Sequence, residues 1–135
     1  MGGPGVMKWA LAAMVLALVM VREWRRRRRG PRQDSLALDE LAEAGSDLDA
    51  EHRMEFFFFA KDEAGMTDLA AGLRRLSMVV HVNRVEASKA AYWSVKGVTV
   101  MAPKPDAVAR MRSTLEALAR KTRTTFDGWG AEAKP

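Results

Sequence analysis

The chain has 135 residues, enough for one domain with a modest hydrophobic core, and this length argues against two domains. It contains no cysteine, which excludes a disulfide framework and any thiolate metal or redox site. The formal net charge is +5, and residues 51–135 carry 14 basic and 10 acidic side chains, a mildly basic balance that suits a polyanionic partner.

The amino-terminal segment predicts a membrane anchor. Residues 9–21 carry no polar side chain, and extending this stretch to residues 5–24 brings a helix close to the roughly 30 Å of a bilayer core. Five consecutive arginines follow at 25–29, and such a basic block favours the cytoplasmic side. We therefore predict an uncleaved anchor over residues 1–29 that crosses the inner membrane once and leaves the remaining chain in the cytoplasm. The alternative is a cleaved signal peptide, although no small-residue cleavage site follows the apolar stretch.

Residues 30–50 change in character from basic to acidic. Gly30 and Pro31 break any preceding helix, and acidic residues then recur up to Asp49 without an intervening base. The leucines between them give only a weak helical pattern. We expect a solvated acidic linker with one or two helical turns, followed by a folded body over residues 51–135.

A phenylalanine-rich segment, residues 54–60, predicts the first strand of the body. Alternation along a strand places Phe56 and Phe58 on one face and Phe57 and Phe59 on the other, so both faces are apolar. We expect a central strand covered by a helix on one face and by the chain's own tail on the other. The alternative is an aromatic patch that is exposed for a partner.

A helix is predicted next, capped by Asp62 or Thr67, because apolar residues recur at helical spacing from Met66 to Leu76.

Residues 78–85 and 91–101 are then rich in β-branched residues, which predicts two strands joined by a turn. Gly97 interrupts the second strand. We expect a bulge there that brings Val98 and Val100 onto the face used by Trp93.

Asp106 opens a second amphipathic helix, in which Val108, Met111, Leu115 and Leu118 form an apolar stripe. The resulting order, β-α-β-β-α, predicts an α+β fold, the ferredoxin-like (split βαβ) sandwich, with an antiparallel sheet and two helices on one face. In this prediction the fourth strand is absent, and the tail after the second helix occupies part of its place, at the edge or on the open face of the sheet.

That tail contains the most distinctive motif of the chain, Phe126-Asp127-Gly128-Trp129-Gly130. Its glycines permit positive φ values, so the backbone can turn and return the Trp129 indole to the domain.

Two upstream segments accompany this motif, the phenylalanine-rich strand at 52–60 and the segment Ala91-Tyr92-Trp93-Ser94-Val95. This order, ending in FDGWG, resembles the regulator of ribonuclease activity B family, bacterial proteins that inhibit ribonuclease E. The resemblance covers residues 51–130 and implies a protein that binds an RNA-degrading enzyme. Residues 126–130 carry the specific match, and Tyr92, Trp93 and Ser94 carry a weaker one.

No pattern predicts catalysis. His52 and His81 are the only histidines, they fall on different predicted strands, and no metal-ligand spacing joins them. No glycine-rich phosphate loop follows a strand. We therefore expect a protein without enzymatic activity, metal or cofactor.

A second hypothesis treats the body as an RNA-binding module. A ferredoxin-like sheet that exposes Phe57, Phe59 and Tyr92 could stack single-stranded RNA bases, as RRM domains do. The segment from Lys96 to Val100 has the Lys-Gly start of the corresponding RRM motif but none of its aromatic residues.

Overall fold

Four antiparallel strands form one sheet, and the helices pack on one of its two faces. The computed structural model describes residues 33–87 and 90–133, so the predicted anchor at residues 1–29 lies outside the described residues. None of the helices within the described ranges has the length and apolar character that spanning a bilayer requires. In chain order the elements are helix α1 (33–43), strand β1 (His52–Ala60), helix α2 (Glu63–Arg75), strands β2 (Val79–Ala87) and β3 (Ala90–Met101), helix α3 (Pro105–Thr122) and strand β4 (Thr125–Ala131).

The tail forms a complete fourth strand, whereas the sequence predicted no fourth strand and only a tail in part of its place. The strands lie in the order β2-β3-β1-β4, which with two crossover helices is the split βαβ arrangement. Arg123 ends α3 in the left-handed conformation, with φ 56°, and so reverses the chain before Thr125. Because this turn comes before the FDGWG motif, the motif itself is free to extend along β1. The predicted α+β class and the position of the motif at the sheet edge are confirmed; the prediction of a missing strand is wrong.

The two predicted helices of the body are present, and one begins with the expected cap. The Asp62 side chain accepts the Gly65 backbone N–H at 2.7 Å, which satisfies one of the free donors at the start of α2. Helix α3 begins at Pro105, whose fixed φ suits a first helical position.

Gly97 allows α2 to approach the sheet closely. Strand β3 pairs with both neighbours through Gly97 without a register shift, so the predicted bulge is wrong. A Cβ at this position would lie 2.9 Å from Met78 Sδ and 3.4 Å from Leu73 Cδ1. The glycine therefore serves helix packing, and Val98 and Val100 stay on the face opposite to the one predicted.

The core lies between the helices and the covered face of the sheet. Its largest side chains come from β1 and β4, with leucines of α2 and α3 packed over them. The most deeply buried members are Met54, Phe56, Phe58, Leu69, Leu73, Val95, Leu115 and Phe126.

Helix α1 is part of this packed body. Leu38 and Leu41 are 6% and 7% exposed, and Leu38 joins the core cluster. The structure differs here from the solvated linker expected over residues 30–50, because two leucines at i, i+3 spacing share one face of a helix and gain by burial.

Candidate protein-interaction surface

Strand β1 divides its four phenylalanines between two environments. Phe56 and Phe58 are 1% and 0% exposed and lie beneath the helices. Phe57 and Phe59 are half-buried on the opposite face. The tail does not cover this second pair, because it runs beside β1 as Thr125–Ala131. The expectation of a covering tail is therefore wrong, and an aromatic surface patch is what the structure shows.

We call this second side of the sheet the uncovered face, since no helix of the described residues packs on it. Two regions of it are apolar. The Phe59 and Tyr92 rings meet edge to face with centroids 5.5 Å apart, whereas Val79 and Val100 are 62% and 58% exposed. By register, the uncovered face includes Arg53, Glu55, Phe57 and Phe59 of β1, Val79, His81, Asn83 and Val85 of β2, Tyr92, Ser94, Lys96, Val98 and Val100 of β3, and Thr125, Gly128 and Gly130 of β4.

Three charged side chains lie among these apolar residues. Glu55 accepts a hydrogen bond from Arg53, and Lys96 Nζ lies 3.7 Å from the same carboxylate oxygen. Such partly exposed ion pairs contribute little to the stability of the fold, but they determine the charge of this face. Because one acid stands beside two bases, the uncovered face is amphipathic and of mixed sign rather than strongly basic.

Trp93 does not share this surface. It pairs across the sheet with Ala60, which is buried under the helices, and the Arg84 guanidinium lies 5.9 Å from the centre of its ring. The sequence analysis grouped Trp93 with Tyr92 and Ser94. The structure separates it from both because successive residues of a strand point to opposite faces.

The FDGWG motif owes its shape to a β-bulge in β4. The register with β1 shifts between Phe57 and Phe58, and Gly128 adopts φ 123°, a conformation that favours glycine. In a regular strand, residues three apart point to opposite faces. The extra residue, Asp127, instead brings both Phe126 and Trp129 to the helix side of the sheet.

Trp129 then joins the edge strand to α1 through a buried carboxylate. The indole Nε1–H donates to Asp34 Oδ1 at 2.8 Å, while Arg112 Nε and Nη2 donate to Asp34 Oδ2 and Oδ1 at 2.6 Å each. Asp34 and Arg112 are only 7% and 6% exposed. We call these three residues the Asp34 node; it links α1, α3 and β4.

Further contacts hold the Arg112 guanidinium in place. It donates to Glu116 at 3.0 Å and lies 5.1 Å from the centre of the Phe126 ring. Burial by itself lowers the pKa of Arg112, but the hydrogen bonds and negative charges of Asp34 and Glu116 raise that pKa above its ordinary value. The guanidinium therefore remains charged inside the protein.

Sequence reasoning missed this node. It placed Asp34 in a linker and Arg112 off the apolar stripe of α3. A buried, paired arginine has the same local pattern as a solvated one, so no signal in α3 alone could reveal it. The position of Asp34 one helical turn before Leu38 was the only local hint.

A cleft of ≈ 520 Å³ connects the uncovered face with the Asp34 node. Its lining includes Phe57 and Phe59 of β1 and Gln33 and Ala37 of α1. Gly128 also lines it, and no atom lies within 4 Å of where a Cβ at Gly128 would be. The missing side chain therefore leaves the cleft open at this position.

The two histidines do not form a site. His52 is buried and its Nδ1 donates to the Ala50 carbonyl at 2.7 Å, whereas His81 is exposed on β2. Within the described residues, no group of three or more His, Asp or Glu side chains is placed to hold a metal ion.

A small α+β sandwich with helices on one face and, within the described residues, an open aromatic second face belongs to the class of split βαβ domains. The family model of the regulator of ribonuclease activity B matches residues 32–131, so the chain belongs to this family. The match starts just before Asp34 and ends with β4, so it includes α1 and the whole FDGWG motif, and it confirms the predicted family. The family is described as a regulator of ribonuclease activity. Among curated proteins, none matches the chain.

Proposed function

We propose that this protein binds an RNA-degrading enzyme similar to ribonuclease E and slows its activity, and that the uncovered face is the contact surface. Membership of the regulator family supports the choice of partner. The single structural observation that carries the proposal is the position of Phe57, Phe59 and Tyr92 together on a sheet face that none of the helices in the described ranges covers.

The composition of this face suits a protein partner. Aromatic residues are enriched in the centres of protein interfaces, where they fill or form pockets and account for most of the binding energy. Phe57 and Phe59 border the ≈ 520 Å³ cleft, which offers a concave site for a partner side chain beside a flat aromatic area. Binding would therefore combine one inserted side chain with a broader apolar contact.

The RNA-binding hypothesis receives less support. Phe57, Phe59 and Tyr92 do lie together, as base stacking requires. However, Glu55 lies within ion-pair distance of Arg53 and Lys96, which weakens the positive potential that a phosphate backbone needs. The charge of this face favours protein over nucleic acid.

We also propose that residues 5–24 hold the protein at the cytoplasmic side of the inner membrane. The apolar stretch and the arginines at 25–29 support this location. The test is fractionation of cells that express the full chain or a chain lacking residues 1–29. The cut must precede residue 33, because removing α1 would also remove Asp34 and unpair Arg112. Recovery of the full chain in the soluble fraction would refute the anchor.

The regulatory activity is tested by titrating the full chain into ribonuclease E and measuring the rate of RNA cleavage. We expect cleavage to slow, and Phe57→Ala to raise the half-inhibitory concentration by roughly tenfold or more, as for an interface hot spot. Leu76→Ala is the matched control, since Leu76 is also a partly exposed apolar residue, 38% exposed, but ends α2 away from the uncovered face. Unchanged cleavage at stoichiometric excess of the chain would refute the proposal.

A further inference from the structure

We infer that the uncovered face also binds a second copy of this chain, so that two molecules pack sheet against sheet. One consequence rests on the proposed function: self-association and enzyme binding compete for this surface. The interface is assigned from the apolar content of the face, its charge pattern and its shape.

The uncovered face exposes apolar side chains to solvent. Val79 and Val100 are 62% and 58% exposed, although both lie in strands of the packed sheet. The aromatic group of Phe57, Phe59 and Tyr92 adds a second apolar area nearby. Exposed contiguous apolar area of this kind marks interaction surfaces.

The charges of the face complement those of an identical face. A twofold interface places one surface against its own copy, so a surface of a single sign repels itself. Glu55 stands here beside Arg53 and Lys96, 3.7 Å from the latter's ammonium group. In a pair of molecules, Glu55 of one copy can therefore lie opposite Lys96 or Arg53 of the other.

Apolar surface is buried for either direction of a twofold axis that lies in the plane between the two sheets. Along the strands, Val79 and Val100 lie toward one end of the face and Phe59 and Tyr92 toward the other, with Glu55 level with Val79 and Lys96 level with Phe57. If the axis runs along the strands, aromatic area meets aromatic area; if it runs across them, aromatic area meets valine. Apolar surface is buried in both cases, and two twisted sheets pack face to face at about 10 Å.

Sedimentation equilibrium of the full chain tests the inference, in a neutral detergent that accommodates the apolar amino-terminal stretch. We expect a monomer–dimer equilibrium whose dissociation constant rises about tenfold in Lys96→Glu, because that change sets like charges opposite each other. The exchanged pair Glu55→Lys with Lys96→Glu should return the constant to within about threefold of the original. Arg110→Glu is the matched control. It makes the same change in net charge at an exposed position of α3 and should leave the dissociation constant unaltered.

Thiol protection gives a second readout that does not depend on the position of the axis. Because the chain has no cysteine, Val100→Cys and Leu76→Cys each introduce a single thiol at an exposed apolar position, 58% and 38% exposed. Leu76 ends α2, which packs on the opposite face of the sheet. As chain concentration rises, maleimide labelling should slow at position 100 and stay constant at position 76.

Three results would overturn the inference: a monomer at every concentration, a dimer indifferent to Lys96→Glu, or labelling at position 100 that is slowed by single-stranded RNA but not by chain concentration. The last would assign the face to nucleic acid. A dimer that does not slow RNA cleavage would refute the proposed function and leave self-association standing. A chain that slows cleavage while remaining monomeric would refute self-association and leave the proposed function standing.

Discussion

Trp129 and Asp34 lie 95 positions apart in the chain and share a hydrogen bond of 2.8 Å between the indole nitrogen and the carboxylate. Arg112 completes the contact with two further bonds to the same carboxylate. The most distinctive motif of the sequence is thus held by a residue from the segment that immediately follows the predicted anchor.

Removing the Asp34 carboxylate should destabilise the protein strongly. Asp34→Ala leaves the buried Arg112 charge without its main partner, and breaking a buried ion pair in this way costs about 3–5 kcal/mol of unfolding free energy. Urea unfolding followed by circular dichroism measures the loss. Asp39→Ala on the exposed side of α1 is the control and should change the unfolding free energy by less than about 0.5 kcal/mol. Equal effects of the two substitutions would show that α1 does not depend on the node.

Lysine should not replace Arg112. Arg112→Lys loses the fork of donors that reaches both oxygens of Asp34 and also Glu116, and each hydrogen bond to a charged group contributes about 1.5–3 kcal/mol. The pH dependence should differ as well. The raised pKa of Arg112 means that its contribution to stability is fully present below the unfolded-state pKa and is lost as the pH rises through the folded-state pKa, which lies above the ordinary value of arginine.

A buried lysine, in contrast, releases its proton more readily than arginine, so the stability of Arg112→Lys should fall as the pH approaches about 10 while that of the natural protein stays level. Urea titrations at neutral and alkaline pH distinguish the two. A parallel decline of both proteins would contradict the assigned role of the guanidinium.

Trp129→Phe should show whether Trp129 stabilises the fold or contacts the partner. The change keeps an aromatic ring beside the core but removes the indole donor to Asp34, at a cost of about 1–3 kcal/mol because the acceptor is charged and mostly buried. Since Trp129 points to the helix side of the sheet, inhibition by the folded variant should match that of the natural protein. Reduced inhibition at a temperature where the variant is fully folded would place Trp129 in the contact surface.

Two glycines of the sheet should respond in opposite ways to alanine. At Gly97 a new Cβ meets Met78 Sδ at 2.9 Å, so Gly97→Ala should cost about 1–3 kcal/mol through overpacking. At Gly130 the nearest atom is Phe57 Cε2 at 3.7 Å, an ordinary contact, and no positive φ is required. Gly130→Ala should therefore be neutral or stabilise by up to about 1 kcal/mol. Thermal unfolding of the two variants side by side checks the contrast.

Much of the local structure could be predicted from residue patterns. Alternation along residues 54–60 correctly separated Phe56 and Phe58 from Phe57 and Phe59, because side-chain direction in a strand depends only on position. The cap at Asp62 and the spacing of the two amphipathic helices have the same local origin. The FDGWG motif identified the family, although its fourth strand was read as a turn.

The failed predictions all concern contacts between distant segments. The strand character of residues 125–131 depends on pairing with β1, and the burial of α1 depends on Leu38 finding the core. The local sequence around Gly97 predicted a bulge, whereas in the structure Gly97 lets α2 pack closely on the sheet.

The residue order by itself therefore determined the family, the α+β class and which phenylalanines share a face, since these follow from short-range periodicity. Only the tertiary structure decided that α1 belongs to the body, that Arg112 is buried and that Phe57, Phe59 and Tyr92 remain uncovered. Those outcomes depend on which surfaces meet across the chain, and a buried ion pair such as Asp34 with Arg112 is stable only when both partners leave water together.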